Sequence, residues 1–532
     1  MYTDVTADSG LEFEHASGAR GAFLFPEIMG GGAGLFDFDG DGWLDVYFVQ
    51  SGELYGNPAQ RPPNRLFRNT GGGRFVEVTG AGVAGHSYGM GCAAGDFDND
   101  GHVDLYVYNV GPNILYRNNG DGTFTDVTLA AGVGDPGWSA AAAFFDYDGD
   151  GWLDLVVVNY VDWQDTPAFR EKQCFAATGM RDYCPPQSFA APSFDRLYRN
   201  RGDGTFEDVS VRVGLHAKAG TGLGVVCADM NNDGFVDIYV SNDQMPSFLW
   251  LGSADGTFTE SASLLGCAVD EMGRAQAGMG VDAQDINDSG FLDIWKVHLH
   301  RETHVLYINH GGTFEDATVR WGLAAPTRRY TGFGTALFDY DLDGLLDTFV
   351  ANGRVQFVNE PTSSSDIYAE RNQLLRQVSP GRFEDVTDLA GAALAPVETS
   401  RGAAFGDIDN DGDIDILVIN RDGPARLLRN DAPRQGNFAT FRVLDRNGRD
   451  ALGARLLCTI NGRKRLFECR AAYSYLATND PRVHVGLGRA DSIAEIEVIW
   501  PDRSRSRHGP FEANRFHELR QPAGSGLPAV AP

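Results

Sequence analysis

Lysine is scarce in this chain of 532 residues: only four of its 44 basic side chains are lysines, at positions 172, 218, 296 and 464. The formal net charge is −29 and no basic stripe is present, so no nucleic-acid partner is expected. No apolar run approaches the length of a membrane span, so no membrane partner is predicted. The amino terminus, MYTDVTADSGLEFEH, lacks the basic region and apolar stretch of a signal peptide. We therefore expect a cytoplasmic protein, unless a leader has been removed.

Cysteine is also rare, and the seven cysteines are an odd number spread thinly, which argues against a disulfide scaffold. Cys174 and Cys184 are the one plausible pair, because they lie in a long insertion with little core of its own. Cys458 and Cys469 flank an Asn-Gly turn; a two-residue hairpin would place Cys458 opposite Arg465 and leave Cys469 too far along to bridge. The other cysteines are expected to be buried and reduced.

Several catalytic motifs are missing. The chain has no Gly-rich phosphate loop, no G-x-S-x-G elbow and no H-E-x-x-H helix. With 42% hydrophobic residues it can still bury a large core, and its length allows several domains or one large repeat fold.

Aspartate, by contrast, is concentrated in short loops of one pattern, of which DFDGDGWLD from Asp37 to Asp45 is the first. Acids at positions one, three, five and nine repel one another unless a cation lies between them, and the glycine at position six lets the chain turn back. Together with the carbonyl of the seventh residue and water, they form a ligand set that suits Ca²⁺. A single copy could equally be a solvated turn, since Asp and Gly are common turn residues.

The pattern occurs seven times, in loops that begin at Asp37, Asp96, Asp146, Asp229, Asp285, Asp339 and Asp407. Five loops carry all four acids, whereas the fourth has Asn231 in third place and the fifth has Asn287 and Ser289 in third and fifth place. We therefore predict up to seven structural Ca²⁺ ions, with the weakest site in the fifth loop. The predicted ligands, including the seventh-position carbonyls, are Asp37, Asp39, Asp41, Trp43, Asp45, Asp96, Asp98, Asp100, His102, Asp104, Asp146, Asp148, Asp150, Trp152, Asp154, Asp229, Asn231, Asp233, Phe235, Asp237, Asp285, Asn287, Ser289, Phe291, Asp293, Asp339, Asp341, Asp343, Leu345, Asp347, Asp407, Asp409, Asp411, Asp413 and Asp415.

The segments between the loops predict two hairpins per repeat. Each acid loop is followed by a short apolar strand such as VYFV, then by a strand such as LFRN, a Gly-rich turn and a strand such as FVEVT. Four strands in each of seven repeats predict an all-β fold, a seven-bladed β-propeller over residues 1–435. Only six FVEVT-like strands follow the seven loops, so YTDVT (2–6) is predicted to complete the last blade and close the ring.

After Asn430 the pattern changes. Alternating apolar residues, an Asn-Gly turn and the stretch IEVIWPD predict a separate, small β-rich domain over residues 436–520. The tail QPAGSGLPAVAP (521–532) is predicted to be disordered.

The stretches PEIMGGGAGLFDFDGDGWLD, RGAAFGDIDNDGDIDILVIN and NDPRVHVGLG with IEVIWPD together resemble the FG-GAP/VCBS repeats of integrin-type propellers. The chain is still more similar to the cartilage-acidic-protein family with its carboxy-terminal ASPIC/UnbV domain, and the resemblance covers nearly the whole chain. It implies a propeller that binds Ca²⁺, and we expect the chain to belong to the bacterial, UnbV-like branch. Function does not follow from the fold, because the family includes secreted adhesion or matrix-type proteins and members from enediyne-type gene clusters.

One repeat departs from the pattern. In five repeats the strand after the acid loop ends in Asn, whereas the fifth repeat reads IWKVHLHRETHVLYIN and has His298 at that position. His304 falls where the second repeat has Asn113, and His300 shares a strand face with His298. The functional interpretation is a catalytic cluster at the mouth of the central channel, with histidines that move protons near neutral pH and Glu302 orienting them.

Two other interpretations of this cluster stay open: solvated histidines on a surface loop, or a transition-metal site made by His298, His300 and His304. A further candidate is Arg328, Arg329 and Tyr330, which lie at the matching approach to the sixth repeat and could hold an anionic or phenolic substrate. Exposed arginines at a loop tip are also commonly just solvated.

Two functions are therefore carried forward. The first is an enzyme of bacterial natural-product (enediyne-like) biosynthesis, without a redox cofactor, which binds a bulky intermediate over the propeller axis and assists its ring opening or cyclisation. The second is a non-catalytic, Ca²⁺-dependent binding or adhesion module. The apparent lack of a leader favours the first. The sequence makes no prediction of the oligomeric state.

Overall fold

The computed structural model describes residues 1–359 and 363–523, and these are organised almost entirely as β-sheet. Seven sheets, here called blades 1 to 7, each contain four antiparallel strands; these follow one another in sequence in blades 1 to 6, whereas the outer strand of blade 7 comes from the amino terminus. Their strands are Ala33–Phe36, Asp45–Phe48, Arg65–Asn69 and Phe75–Glu77 (blade 1); Gly89–Gly95, Asp104–Asn109, Gly111–Asn118 and Phe124–Asp126 (blade 2); Ser139–Phe145, Asp154–Asn159, Arg196–Asn200 and Phe206–Asp208 (blade 3); Gly222–Ala228, Asp237–Asn242, Phe248–Gly252 and Phe258–Glu260 (blade 4); Val281–Gln284, Asp293–Lys296, Val305–Asn309 and Phe314–Asp316 (blade 5); Gly332–Phe338, Asp347–Asn352, Gln373–Ser379 and Arg382–Asp385 (blade 6); and Ser400–Gly406, Asp415–Asn420, Arg426–Asn430 and Tyr2–Asp4 (blade 7).

The blades form a closed ring. The first strand of each blade contacts the first strand of the next, and that of blade 7 contacts that of blade 1. The first strands therefore line a central channel, and each acid loop joins the first two strands of its blade at one end of that channel. We call this end the acid-loop face and the other end the distal face. The predicted all-β class and propeller architecture are confirmed.

Helices are short. The α-helical turns are Thr6–Ser9, Thr128–Ala131, Pro167–Arg170, Ala262–Leu265 and Ala324–Thr327, and the 3₁₀ turns are Phe25–Ile28, Pro58–Gln60, Pro186–Ser188, Leu215–Ala217, Thr387–Leu389 and Ala392–Leu394. Two-stranded ribbons pair Cys174–Phe175 with Arg181–Asp182 and Glu370–Arg371 with Val397–Glu398. Among the described residues, no helix is both long and apolar enough to cross a membrane.

The amino-terminal strand lies at the outer edge of blade 7. Tyr2 pairs with Asn430, its backbone N–H donates to the carbonyl of Ala390 at 2.7 Å, and its hydroxyl donates to the carbonyl of Ile414 at 3.4 Å. The Tyr2 side chain is buried in the core shared with blade 6. The first residues of the chain therefore join its last propeller strand and cover an edge that would otherwise be open.

We expect Tyr2→Ala to cost about 3 kcal/mol of unfolding free energy, because it removes a buried aromatic ring and leaves a cavity where the ring closes. Thr3→Ala, an exposed position on the same strand, should cost less than about 0.5 kcal/mol. Denaturant unfolding of both variants at one Ca²⁺ concentration checks this. Identical midpoints for the two variants would show that closure does not depend on this strand.

The carboxy-terminal part forms three further sheets. Val483–Gly488, Asn437–Leu444 and Arg515–Arg520 make one; Arg463–Glu468, Arg455–Ile460, Glu495–Ile499 and Arg505–His508 make a second; Ser492–Ile493 and Phe511–Glu512 make a third. The domain boundaries at 435 and 520 stay predictions. Most of the predicted disordered tail, from residue 524 on, lies outside the described residues, but Gln521 is buried and its side-chain amide donates to Asp502 and Ser504.

This domain covers the acid-loop face and sends one segment, residues 470–479, into the central channel. We call it the channel segment. Tyr475 donates its hydroxyl to the carbonyl of Met29 at 2.9 Å, and Ser474 donates its own to the carbonyl of Ala403 at 2.7 Å. The strand Ala477–Thr478 adds to blade 1 in parallel. A Cβ at Gly32 would lie 2.4 Å from the carbonyl of Leu476, so glycine permits this close passage. The channel is thus filled from the acid-loop face.

The cysteine predictions are confirmed. Cys174 and Cys184 form a disulfide, and the five other cysteines are buried and free. Cys458 pairs with Arg465 across the hairpin, as predicted.

Candidate functional site

The acid loops have the same internal geometry in all seven blades. The first Asp accepts the backbone N–H groups of the fifth and sixth residues, as Asp96 does from Asp100 at 3.2 Å and Gly101 at 2.9 Å. The ninth Asp accepts two more, as Asp45 does from Phe38 at 3.0 Å and Asn69 at 2.7 Å. The ninth Asp therefore ties the loop to the third strand whether or not an ion is bound, which explains why all seven loops retain it.

Five of the loops bring carboxylate oxygens of three acids within 4.8 Å of one another, a grouping that could hold a metal ion. They are Asp37, Asp39 and Asp41; Asp96, Asp98 and Asp104; Asp146, Asp148 and Asp154; Asp339, Asp341 and Asp347; and Asp407, Asp409 and Asp415. These are the five loops with four acids. Among the described residues, the loops of blades 4 and 5 form no such group, in line with their Asn and Ser substitutions.

The donor chemistry fits a hard cation. Burial raises the pKa of Asp45 to about 8 and that of Asp146 to about 7, so ionising these acids in the protein is costly without a nearby positive charge. Carboxylate oxygens of Asp98, Asp341 and Asp409 are buried and have no hydrogen-bond partner within the described part of the chain. All-oxygen sites of this kind suit Ca²⁺. The predicted ligands fit Ca²⁺, although the number of ions and the role of the seventh-position carbonyls stay predictions.

Arginines that the sequence analysis overlooked accompany the four-acid loops. Arg68 lies 2.6 Å from Asp39 and 2.9 Å from Asp41, and Arg199 and Arg376 pair in the same way with the third and fifth acids of blades 3 and 6. The sequence contains these arginines at a fixed position, in the strands LFRN and LYRN of the repeats. In blades 4 and 5 the equivalent residues are Leu251 and Ile308, so the loops that lack acids also lack this arginine.

In those two blades the carboxy-terminal domain supplies the positive charge. Arg455 donates to Asp229 in the loop of blade 4 at 2.8 Å, and Arg465 donates to Asp288 in the loop of blade 5 at 2.9 Å. Sequence reasoning could not find these contacts, because they depend on how the domain docks against the ring.

His298 and His304 do not lie on the surface. Both side chains are fully buried, so the interpretation as solvated loop histidines is wrong. Burial, with the ammonium of Lys296 nearby, holds the pKa of His298 well below its usual range, and burial lowers the pKa of His304 to about 3. Both rings are neutral near pH 7, which does not support the predicted proton transfer at that pH.

His304 has a structural role that other blades share. Its Nδ1 accepts the backbone N–H of His298 at 3.1 Å, just as the side chains of Asn113 and Asp195 accept the N–H of Asn109 and Asn159. The exchange of Asn for His in blade 5 therefore preserves a hydrogen bond that fixes the end of the second strand. The catalytic roles of these residues stay predictions.

Of the other predicted residues, the structure brings His300 and Arg329 together. Glu302 accepts the backbone N–H of Ala277 at 2.9 Å, and His300 Nδ1 lies 3.0 Å from the carbonyl of Arg329. Arg328 and Arg329 are exposed and Tyr330 is half-buried. Within the described residues, His298, His300 and His304 do not form a metal-binding group. His300 lines a sizeable cavity.

The burial of His304 predicts a measurable pH dependence. Because its folded pKa is lowered to about 3, this residue stabilises the fold above its unfolded value of 6.5, and that stability is lost as the pH falls through 6.5 towards 3. Lowering the pH from 6.5 to 5.0 should cost about 2 kcal/mol through this residue. We expect His304→Gln to lose that part of the pH dependence, measured by denaturant unfolding in saturating Ca²⁺. His310→Gln, an exposed control, should behave like the wild type; an unchanged profile in His304→Gln would contradict the assignment.

The distal face holds a cavity of 750 Å³ whose walls include His300, Arg301, Thr331 and the disulfide-linked insertion around Cys174. Beneath it lies a smaller cavity of 20 Å³ that reaches the channel axis at Asp243. The two cavities share the wall residues Pro185, Leu299, Val355 and Gln356, so they are adjacent, and we call them together the distal depression.

Asp243 escaped the sequence analysis, although the pattern marks its position. It directly follows Asn242, the last residue of the second strand in blade 4, as Tyr160 follows Asn159 in blade 3 and Leu299 follows His298 in blade 5. The residues that surround the axis on the distal face are therefore those after the repeated Asn. The residue at the repeated Asn position, such as His298 in blade 5, is buried and has a structural role instead.

The FG-GAP-like repeat family matches residues 37–107, 105–157, 188–240, 229–295 and 362–418, and the ASPIC and UnbV family matches residues 444–526. Cartilage acidic protein 1 of Xenopus tropicalis is 26% identical over 441 residues, which cover 78% of this chain and 61% of that protein. The human protein of the same name is 30% identical over 312 residues, covering 57% of this chain and 44% of that protein. This chain thus spans less than two thirds of these relatives. Among solved structures, YCF48 from Cyanidioschyzon merolae aligns with a TM-score of 0.40 and 10% identity, over 75% of this chain and 94% of that one.

Proposed function

Because the chain belongs to the family of FG-GAP-repeat propellers that carry an ASPIC/UnbV domain, we propose that it is a Ca²⁺-stabilised binding protein that recognises a ligand on its distal face. The observation that carries this proposal is the depression around the axis on that face, with its cavity of 750 Å³. Cavities of this size suit small-molecule ligands.

The rest of the channel supports the same assignment. The acid-loop face is covered by the carboxy-terminal domain, and the channel segment fills the axis behind Tyr475. His298 and His304 are buried, and His304 holds the backbone of blade 5 by accepting the N–H of His298. These features favour recognition at the open end over chemistry inside the channel.

Screening a small-molecule fragment library by ligand-observed NMR against the full, Ca²⁺-loaded chain tests the proposal. Leu299→Trp fills the depression at a half-buried wall residue and should abolish binding of the hits. Leu129→Trp, an exposed control in the helical turn after blade 2, should leave binding unchanged. The absence of any fragment that is sensitive to Leu299→Trp would overturn the proposal.

The second candidate is the enzyme of natural-product biosynthesis, acting by acid/base-assisted ring opening or cyclisation of a bulky, enediyne-like intermediate. The observation that favours it is the presence of His300 and Arg301 in the wall of the distal cavity. If His300 takes part, His300→Ala should reduce turnover of the intermediate that accumulates in a gene deletion by about two to four orders of magnitude. Wild-type turnover in that variant would remove His300 from the reaction.

The cytoplasmic location and the small-molecule partner also stay proposals. The Cys174–Cys184 disulfide argues for an oxidising compartment, because such bonds are rare in the cytosol. Thiol labelling of the protein taken directly from its native cells distinguishes the two locations: seven reactive thiols after denaturation indicate the cytoplasm, and five indicate an oxidising compartment.

A further inference from the structure

A carboxylate at the bottom of the distal depression lacks a partner. Asp243 is 7% exposed, its Oδ2 accepts the hydroxyl of the buried Tyr160, and its Oδ1 has no hydrogen-bond partner among the described residues. Burying a carboxylate oxygen without a partner is costly, so this oxygen points to a ligand that supplies one. The next residue, Gln244, has φ of 57°, a conformation that is unusual for a residue other than glycine and is often found at functional sites.

The charged groups near Asp243 decide which ligand its free oxygen can accept. The position equivalent to Asp243 in blade 7 is Arg421, which directly follows Asn420, and its charge is shared with Asp366 and Asp422. Burial, together with the charge of the nearby Glu302, raises the pKa of Asp243 to about 7. The buried ammonium of Lys296 lies near Glu302 and offsets its charge, so the carboxylate of Asp243 is the group available to a cationic ligand.

Apolar and aromatic side chains line the small cavity beside Asp243. Phe25, Met29 and Met279 line the small cavity beside Asp243, and the rings of Phe25 and Tyr160 lie 5.5 Å apart. Aromatic faces next to a carboxylate are a favourable environment for an organic cation. The volume of 20 Å³ admits a head group of about the size of a water molecule, and the cavity of 750 Å³ above admits a larger body.

We propose that the distal depression binds a primary amine, with the ammonium head on Asp243 Oδ1 and an apolar or aromatic body between Leu299, Pro185 and Val355. This assignment rests on the proposed function and names the class of its ligand. Tyr160 fixes the orientation of the carboxylate by donating to the other oxygen.

The probe is 2-phenylethylamine, titrated calorimetrically into the full, Ca²⁺-loaded chain at pH 8. We expect saturable binding of one molecule, and Asp243→Asn should weaken it by about tenfold or more, since hydrogen bonds to charged groups are worth about 1.5–3 kcal/mol. The uncharged 2-phenylethanol should bind the wild type more weakly than the amine. Asp195→Asn is the matched control, because Asp195 is equally buried, has a pKa raised by burial to about 7, and lies outside the depression.

Leu299→Trp provides a second variant that does not alter the carboxylate, and it should abolish amine binding. The assignment is overturned if the wild type shows no saturable binding of the amine, or if Asp243→Asn binds it as tightly as the wild type. Neutral or acidic fragments that bind in a manner sensitive to Leu299→Trp, without amine binding, overturn the amine assignment and support the proposed function. A lack of any fragment sensitive to Leu299→Trp counts against the proposed function itself.

Discussion

Excess EGTA is expected to lower the Tm of this protein by about 10 °C or more, because each ion held at a hundred times its Kd contributes about 2.7 kcal/mol. The physical reason lies in the five four-acid loops, where carboxylates converge within 4.8 Å and burial opposes their ionisation. Differential scanning calorimetry with and without the chelator measures the shift. An unchanged Tm would show that the loops do not hold stabilising ions.

Two variants show which acid loops contribute most to the Ca²⁺-dependent Tm. Asp146→Ala removes the first acid of a four-acid loop, whereas Asp285→Ala removes the first acid of the loop that also has Asn287 and Ser289. Both side chains accept the backbone N–H groups of the fifth and sixth loop residues; in addition, Asp146 accepts the N–H of Gly149 and Asp285 accepts the hydroxyl of Ser289, so each variant loses three hydrogen bonds. We expect the Ca²⁺-dependent part of the Tm to fall more in Asp146→Ala. Equal losses would contradict the ranking of the loops.

The second large effect is expected at the channel segment. Arg470, which is buried, lies 3.1 Å from the fully buried Asp282 of blade 5. Arg470→Met leaves the carboxylate of Asp282 without its cation in the interior and should cost about 3–5 kcal/mol of unfolding free energy. The control is Arg463→Met, at an exposed position on the strand Arg463–Glu468 that precedes the channel segment. It should cost less than about 0.5 kcal/mol of unfolding free energy.

The double variant Asp282→Asn, Arg470→Met separates charge from packing. Because it removes both charges, most of the lost stability should return if the unpaired carboxylate is the cause. Denaturant unfolding of the four proteins at saturating Ca²⁺ gives the comparison. A small effect of Arg470→Met alone would show that the segment is not held in the channel by this contact.

Local patterns made much of the fold predictable. The acid loops are recognisable in the sequence because their predicted ligands lie within nine consecutive residues. The strand at Tyr2 could be placed because the seventh repeat lacks its outer strand. The same local reasoning found the Cys174–Cys184 bridge. In each case the residues that interact are either close in sequence or identified by counting repeats.

The site on the distal face needed information that the repeats do not contain. His298 attracted attention because it breaks the Asn pattern, yet its side chain is buried, whereas Asp243 follows an ordinary Asn242 and reaches the axis. Arg455 and Arg470 contact the propeller only through docking of the second domain, 226 and 188 residues away from their partners Asp229 and Asp282. Contacts over such separations are decided by packing of the whole molecule.

The most direct test of the central claim, that Ca²⁺ in the four-acid loops stabilises the propeller, is elemental analysis of the purified protein after extensive dialysis against metal-free buffer. The structure predicts five tightly held Ca²⁺ ions per chain, one for each group of three converging acids, with any further ions in blades 4 and 5 lost on dialysis. Retention of fewer than five ions, or of none, in a protein that keeps its full Tm would contradict it.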